Sequence, residues 1–365
     1  MRAARQPTHR LEVMGSENRS LRLADRTIGA GSPPFIVAEL SGNHKGSLAR
    51  ALEILEAAKE SGADAVKLQT YTPDTITIDH PGPDFVIDSG LWKGRTLYEL
   101  YQEAHTPWAW HEPLIEKARE LGICIFSSPF DATAVDFLET LDTPAYKIAS
   151  FELVDLPLIR KAAATGKPMI LSTGLASEQD IRDAVNAAHE AGAGGVLLLH
   201  CTSAYPTPMA EANLRAIPYL SRTFEVPVGL SDHTLGGAAA VAAVALGAVM
   251  IEKHMTMQRA DGGPDASFSV EPAELSQLCA DVRAAWQALG NENGGISPSE
   301  KESLRFRRSL YLVADVREGE RLTTDNLRSI RPSSGLPPRH LPELLGRRVL
   351  RDIPRGTPMQ WDFVD

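Results

Sequence analysis

Cysteine is scarce: Cys124, Cys201 and Cys279 are the only three in 365 residues, odd in number and far apart. They imply neither a disulfide framework nor a CxxC site. No window approaches 18 consecutive apolar residues, which excludes a membrane-spanning helix. An excess of positive charge is also missing. The net charge of −10 argues against non-specific nucleic-acid binding, which needs a basic footprint. The first 18 residues, MRAARQPTHRLEVMGSEN, hold no apolar run and read as a flexible arm, not a signal peptide. With 43% hydrophobic and 23% charged residues, the chain is expected to be a soluble, cytoplasmic protein of enzyme size.

Charge is unevenly spread. Six Arg against three acidic residues give the first 30 positions +3, and eleven Arg against eight acidic residues give 306–365 another +3. The total of −10 then leaves −16 for 31–305. A basic tail and an acidic body suggest docking between them, within one chain or between two.

From Phe35 a short β-rich run, a polar residue at its end and a helical stretch recur eight times. The strand candidates are 35–40, 64–70, 122–128, 145–150, 168–174, 194–201, 226–233 and 248–254. Helices are expected between them, at 47–62 and 177–192 for example, the second opening on Ser177 with Asp180 three residues later. Eight such units predict a (β/α)8 barrel; no GxGxxG follows the first strand, as an open dinucleotide-binding sheet would require. A hairpin, LRLADRTIGAG (21–31), is expected to close one end. The insertion at 71–106 falls on the face where barrels carry out chemistry. The domains read as an arm (1–20), the barrel (21–290), a linker (291–305) and a β-rich module (306–365). In the module, DVREGERLTTDNL (315–327) and DIPRGTPMQWDFV (352–364) form a weak repeat that suggests two pseudo-symmetric halves.

The strand ends are unusually polar: Glu39, Lys67, Gln69, Ser128, Lys147, Ser150, Ser172, His200, Ser231, Asp232, His233, Glu252 and His254. Singly, each is more often an N-cap or a hydrogen-bonded core residue; thirteen at one mouth point to chemistry. Lys67 and Lys147 with Ser128, Ser150 and Ser172 suit a phosphate and a carboxylate. A Schiff-base role for Lys147 is a competing reading, although two lysines beside hydroxyls fit anion binding better. His233 and His254, on neighbouring strands, suit a divalent metal acting as a Lewis acid. Glu39, Gln69, Tyr205 and Asp265 suit a hydroxyl- or amide-bearing ligand.

The runs AELSGNHKGS (38–47), VKLQTY, FSSPFD, YKIAS, LSTG, LLHCTSAYPTP, GLSDHT and IEKH resemble the sialic-acid synthase family over residues 20–365, the last module being similar to that family's antifreeze-like (SAF, β-clip) domain. ELSGNH and GLWKGRTLYELYQEAHTPW (90–108) look most like the pseudaminic acid synthase branch; neuraminate synthases more typically carry E-I-G-x-N-H. The resemblance implies metal-dependent condensation of phosphoenolpyruvate (PEP) with an N-acylated amino sugar, releasing phosphate by C–O cleavage. For that branch the sugar is 2,4-diacetamido-2,4,6-trideoxy-L-altrose; neuraminate and legionaminate synthesis are the alternatives. A non-catalytic carbohydrate-binding protein is the rival of another class, opposed by the intact paired His and Lys at the strand ends. By position, Lys67, Ser128, Lys147, Ser150, Ser172 and Ser231 would hold PEP, with the two lysines assisting catalysis. Glu39, Gln69, Ser203, Tyr205 and Asp265 would face the sugar, joined by Arg331 from the module of a partner in a domain-swapped homodimer. The family has Asn where Ser203 stands. His233 and His254 would hold the metal (Mn first, Mg or Co as alternatives), and Glu39 or Glu252 would be the base. Phe85, Leu91 and Trp92 are candidates for contacting a 6-deoxy carbon.

Overall fold

Each of the eight β-rich runs becomes a strand, and the eight close on themselves. In the computed structural model, which describes residues 20–290 and 294–365, the barrel strands are β3 (Phe35–Glu39), β4 (Ala65–Thr70), β5 (Cys124–Pro129), β6 (Tyr146–Ile148), β7 (Met169–Ser172), β8 (Val196–Cys201), β9 (Val228–Asp232) and β10 (Met250–His254). All pairs are parallel in chain order, and β10 pairs with β3 to complete the circle. An earlier hairpin joins β1 (Ser20–Leu23) to β2 (Arg26–Gly29). The rest of the arm, 1–19, and residues 291–293 of the linker lie outside the described residues. No described helix is long and apolar enough to cross a membrane.

Alternate strand residues face the barrel axis. Toward the amino ends the inward set is apolar, with Val37, Ala65, Phe126, Ala145, Ile170 and Leu197 in one buried cluster. Leu21, Leu23 and Ile28 of the hairpin belong to the same cluster, so the hairpin plugs that end. Two residues further along each strand the same parity brings Glu39, Lys67, Ser128, Lys147, Ser172, Leu199, Ser231 and Glu252 inward. The barrel is therefore dry below and polar above.

The outward set packs on helices, which cap as the sequence indicates. Ser47 accepts the Arg50 N–H at the start of Leu48–Glu60, and Ser177 and Asp180 form a reciprocal capping box before Glu178–Glu190. The 71–106 insertion folds into helices Pro73–Ile76 and Leu97–Ala104, linked by a stretch in which Val86 bridges Thr96.

The chain divides into two compact units, 1–290 and 291–365. Within the second, Pro298–Glu300 and Glu302–Phe306 are short 3-10 turns, followed by the antiparallel pair β11 (Ser309–Leu312) and β12 (Leu327–Ile330). The repeat becomes a local two-fold. Val316 and Ile353 exchange backbone hydrogen bonds of 2.9 and 2.8 Å. Asp315 Oδ1 accepts the Arg355 N–H at 2.7 Å, while its counterpart Asp352 Oδ1 accepts the Glu318 N–H at 2.8 Å. Gly319 and Gly356 take matching left-handed turns, φ 81° and 88°, which only glycine adopts without strain.

Candidate active site

Four charged side chains meet inside the polar end of the barrel. Lys67 Nζ contacts the Glu39 carboxylate and lies 3.6 Å from Glu252 Oε1, to which Lys147 Nζ donates at 3.2 Å. Ser231 Oγ donates to the same oxygen at 3.3 Å, and Lys67 donates to Ser128 Oγ at 3.3 Å. None of the four charged side chains is more than 4% exposed. Such charges persist only because each is paired; the quartet balances two cations against two anions. Burial pushes the Glu39 carboxyl up, against the pull of Lys67. Burial also pushes Lys147 down despite Glu252.

Above the quartet opens a cavity of about 200 Å³. Lys67, Lys147, Ser150, Ser172, Ser231 and Glu252 line it, together with Gln69, Tyr205, Asp265, His233 and His254. Ser172 Oγ and Glu252 Oε2 are buried with no hydrogen-bond partner, so a polar ligand would satisfy them. Ser150 Oγ accepts the Gly174 N–H at 3.2 Å, and a Cβ on Gly174 would come within 2.7 Å of that oxygen, so glycine keeps this corner open. Glu39 and Ser128 sit behind the wall, fully buried, and act through Lys67.

Other expectations need correction. His200 and Asp232 follow the opposite strand parity and face outward: His200 Nε2 bonds Ala212 O at 2.8 Å, and Asp232 pairs with Lys253 at 2.8 Å. Phe85 and Leu91 do not line the cavity; Phe85 packs on His80, and Leu91 is 49% exposed. Trp92 does line it, fixed by its Nε1–H donating to Pro264 O at 2.9 Å and by the Tyr205 ring 5.9 Å away. The apolar wall also includes Ile76, Leu100, Tyr101, Phe130 and Phe151. Ser203 is not in the lining; it sits half-buried 3.8 Å from Cys201 Sγ. Arg331 is an exposed residue of the second unit.

Among the lining residues that escape the sequence reading are Cys201, Ser41 and Glu152. Cys201, not His200, is the inward residue at the end of β8, its Sγ 3.8 Å from His233 Nδ1; the inward parity of Leu197 and Leu199 was the available signal. Ser41 leaves β3 in a left-handed turn at φ 47°. Glu152 lies past the end of β6 with Oε2 buried and unpartnered, and burial pushes its carboxyl up to about 7. A carboxyl raised in the folded state holds its proton there between about 4.5 and 7, so the loss of stability on its ionisation is nil below that window and complete above it. Glu152→Gln is therefore expected to stabilise the protein by about 2 kcal/mol at pH 8 and by little at pH 4.5. Melting temperatures across that range check this, and a difference that does not grow with pH would contradict it.

His233 and His254 present their rings 5.3 Å apart, enclosed by Phe268, 5.0 Å from His254, and Tyr205, 4.5 Å from His233. His254 Nδ1 is buried without a hydrogen-bond partner. Burial, then the positive neighbours His233 and Lys67, drive His254 well below its ordinary value, which leaves the neutral, ligating form. At His233 burial is outweighed by Cys201, which raises it, so that His233 would release its proton on taking a metal. Among the described residues no group of three or more His, Cys, Asp or Glu gathers around a common point. The donor set is thus two imidazoles with open positions, which fits a Lewis-acidic divalent ion and not a closed structural site.

The NeuB family pattern matches residues 54–294, and the SAF domain pattern matches 307–365. The chain belongs to the NeuB family. It is 44% identical to the pseudaminic acid synthase of Helicobacter pylori over 334 residues, covering 91% of this chain and 98% of that protein. The N,N'-diacetyllegionaminic acid synthase of Legionella pneumophila is 34% identical, with 96% and 100% covered. Among solved structures, the N-acetylneuraminic acid (sialic acid) synthetase of Leptospira borgpetersenii superposes with a TM-score of 0.71 at 32% identity, covering 80% of this chain and 96% of that one. Within this NeuB chain, every residue lining the polar cavity except Ser41 falls in the stretch that the family pattern matches.

Proposed function

We propose that this NeuB-family chain is a cytoplasmic enzyme that condenses PEP with 2,4-diacetamido-2,4,6-trideoxy-L-altrose and water, giving pseudaminic acid and phosphate. The observation that carries the reading is the buried Lys67–Lys147–Glu252 cluster beneath a cavity that Gln69, Tyr205 and Asp265 also line. The 44% identity to pseudaminic acid synthases, against 34% to a legionaminic acid synthase, favours the altrose.

PEP would lie over the two ammonium groups, with Ser150, Ser172 and Ser231 completing its phosphate and carboxylate contacts and Ser128 holding Lys67 in place. Gln69, Tyr205 and Asp265 would orient the open-chain sugar, assisted by Glu39 behind them and by Ser203 at the edge. Carbon 3 of PEP attacks the aldehyde carbon, and the aldehyde oxygen takes a proton. Water adds to carbon 2, and the C–O bond to phosphate then breaks. Glu252 is the better-placed base for that water: Oε1 is held by Lys147 and Ser231, while Oε2 is free. Both Glu39 oxygens are engaged, one by the Ser41 N–H at 2.9 Å and Gln69 at 3.2 Å, the other by Lys67. A divalent ion held by His233 and His254 (Mn, or alternatively Mg or Co) would supply Lewis-acid polarisation of the aldehyde. Arg331 would complete the sugar site from the module of a second copy in a domain-swapped homodimer.

Phosphate release from PEP with Mn and each of three sugars tests this: the diacetamido altrose, N-acetylmannosamine and the legionaminate precursor. Turnover with the altrose is expected at a kcat/KM at least about 100-fold above N-acetylmannosamine, because an apolar wall offered a hydroxyl where it expects a methyl leaves that hydroxyl unpaired. The legionaminate precursor shares the 6-methyl and differs in configuration, so the altrose should exceed it by a smaller factor. Preference for another sugar would keep the chemistry and overturn the substrate.

A further inference from the structure

Ser41 occupies a backbone conformation that serine does not choose. Its φ of 47° lies in the left-handed region, and the residue is 3% exposed, directly after β3 at the cavity wall. A side chain there is strained relative to glycine. The turn nevertheless has a clear product. Leu40 is right-handed and Ser41 left-handed, so successive N–H groups face a common side, as in an anion-binding nest. The Ser41 N–H donates to Glu39 Oε1 at 2.9 Å, and the Gly42 N–H faces the Asp265 carboxyl. The side chain continues the pattern: Ser41 Oγ–H donates to Asp265 Oδ2, and Oγ accepts from Gln69 Nε2 at 3.2 Å. One residue thus joins Glu39, Gln69 and Asp265, three groups that come from β3, β4 and the loop after β10.

The turn is held from outside as well. Asn43 Nδ2 donates to Met255 O at 2.8 Å and to Ser269 Oγ at 2.9 Å, which ties it to the strand-β10 loop. Gly42 packs on the end of the insertion helix so closely that a Cβ would come within 3.0 Å of Ala104 Cα. Ser41 is therefore fixed between the two loops that wall the sugar side.

We propose that Ser41 is a specificity-determining residue for the sugar: its left-handed turn and hydroxyl lock the Asp265 carboxyl and the Gln69 amide in the orientation that reads the acylated sugar, with no part in PEP binding. The inference rests on the sugar-acid synthase reading of the cavity. Without the hydroxyl, Asp265 and Gln69 each lose a partner and are free to turn.

The test is a pair of variants, Ser41→Gly and Ser41→Ala, assayed by phosphate release and thermal melting. Ser41→Gly removes the hydroxyl together with the backbone strain, whereas Ser41→Ala removes the hydroxyl alone. Both are expected to lower kcat/KM for the preferred sugar by about 10- to 100-fold, mostly through KM, while KM for PEP moves less than about twofold. The advantage over the next sugar in the panel should shrink in parallel. Ser41→Gly should melt at or above the wild-type temperature, so its loss of sugar selectivity cannot be ascribed to damage. Unchanged selectivity in Ser41→Gly would overturn the inference, as would an equal rise in both Michaelis constants. If the wild-type protein itself releases no phosphate from PEP with any of the three sugars, the synthase reading has failed instead.

Discussion

Exchange of Glu252 for Gln is expected to lower kcat for phosphate release by about 10³-fold, the size of a lost general base. The amide keeps the volume and the acceptor oxygen that meets Lys147 and Ser231, but it cannot take a proton from water. Two effects are superimposed and separate by sign. Removing one anion from the buried quartet leaves Lys67 and Lys147 with less counter-charge, which costs about 3 kcal/mol of stability and lowers the melting temperature. The same excess of positive charge should draw the anionic substrate in more strongly, so KM for PEP should fall or hold. If Glu252 only neutralised the lysines, the variant would bind PEP more tightly and retain most of its kcat. A kcat within about tenfold of wild type in folded protein would therefore remove Glu252 from the chemistry and return Glu39 to consideration. Where melting shows too little folded protein at the assay temperature, Glu252→Asp keeps the charge and withdraws the carboxylate by one methylene. It should restore stability while leaving kcat low.

The barrel was legible because its period is strong. Eight apolar runs with a polar residue at each end leave little choice of sheet, and the two related halves of the last module emerge as a local two-fold in which Asp315 and Asp352 perform the same capping. The site was legible only as far as strand parity was applied. Lys67, Lys147, Ser172, Ser231 and Glu252 share the parity of the apolar plug below them and do face inward. His200 and Asp232 do not, and counting back from Leu199 and Leu230 would have excluded them. Beyond the strands, periodicity stops helping. Ser41, Glu152 and the choice of Trp92 over Leu91 depend on loop dihedrals and on a contact 172 residues distant in the chain, between Trp92 and Pro264, which no local pattern encodes. The ELSGNH run did carry a trace of this: relative to E-I-G-x-N-H, its serine falls where the backbone turns left-handed.

Loss of either imidazole is expected to have the other large effect. His233→Gln and His254→Gln should each weaken Mn binding by more than about 100-fold and lower kcat/KM with the sugar by about 10³-fold or more. Binding is read directly from the electron paramagnetic resonance signal of free Mn(II): wild-type protein should quench one equivalent, and the variants should leave it in solution. Glutamine fills most of the space beside Phe268 and Tyr205, so the melting temperature should fall by only a few degrees. The two histidines predict a matched pair of losses because, among the described residues, no third donor joins them to retain the ion. A variant that still quenches a full equivalent would place the ion elsewhere. Turnover of the wild-type protein that survives exhaustive EDTA treatment would remove the metal from the reaction, leaving the aldehyde to be activated by the Glu39–Lys67 pair alone.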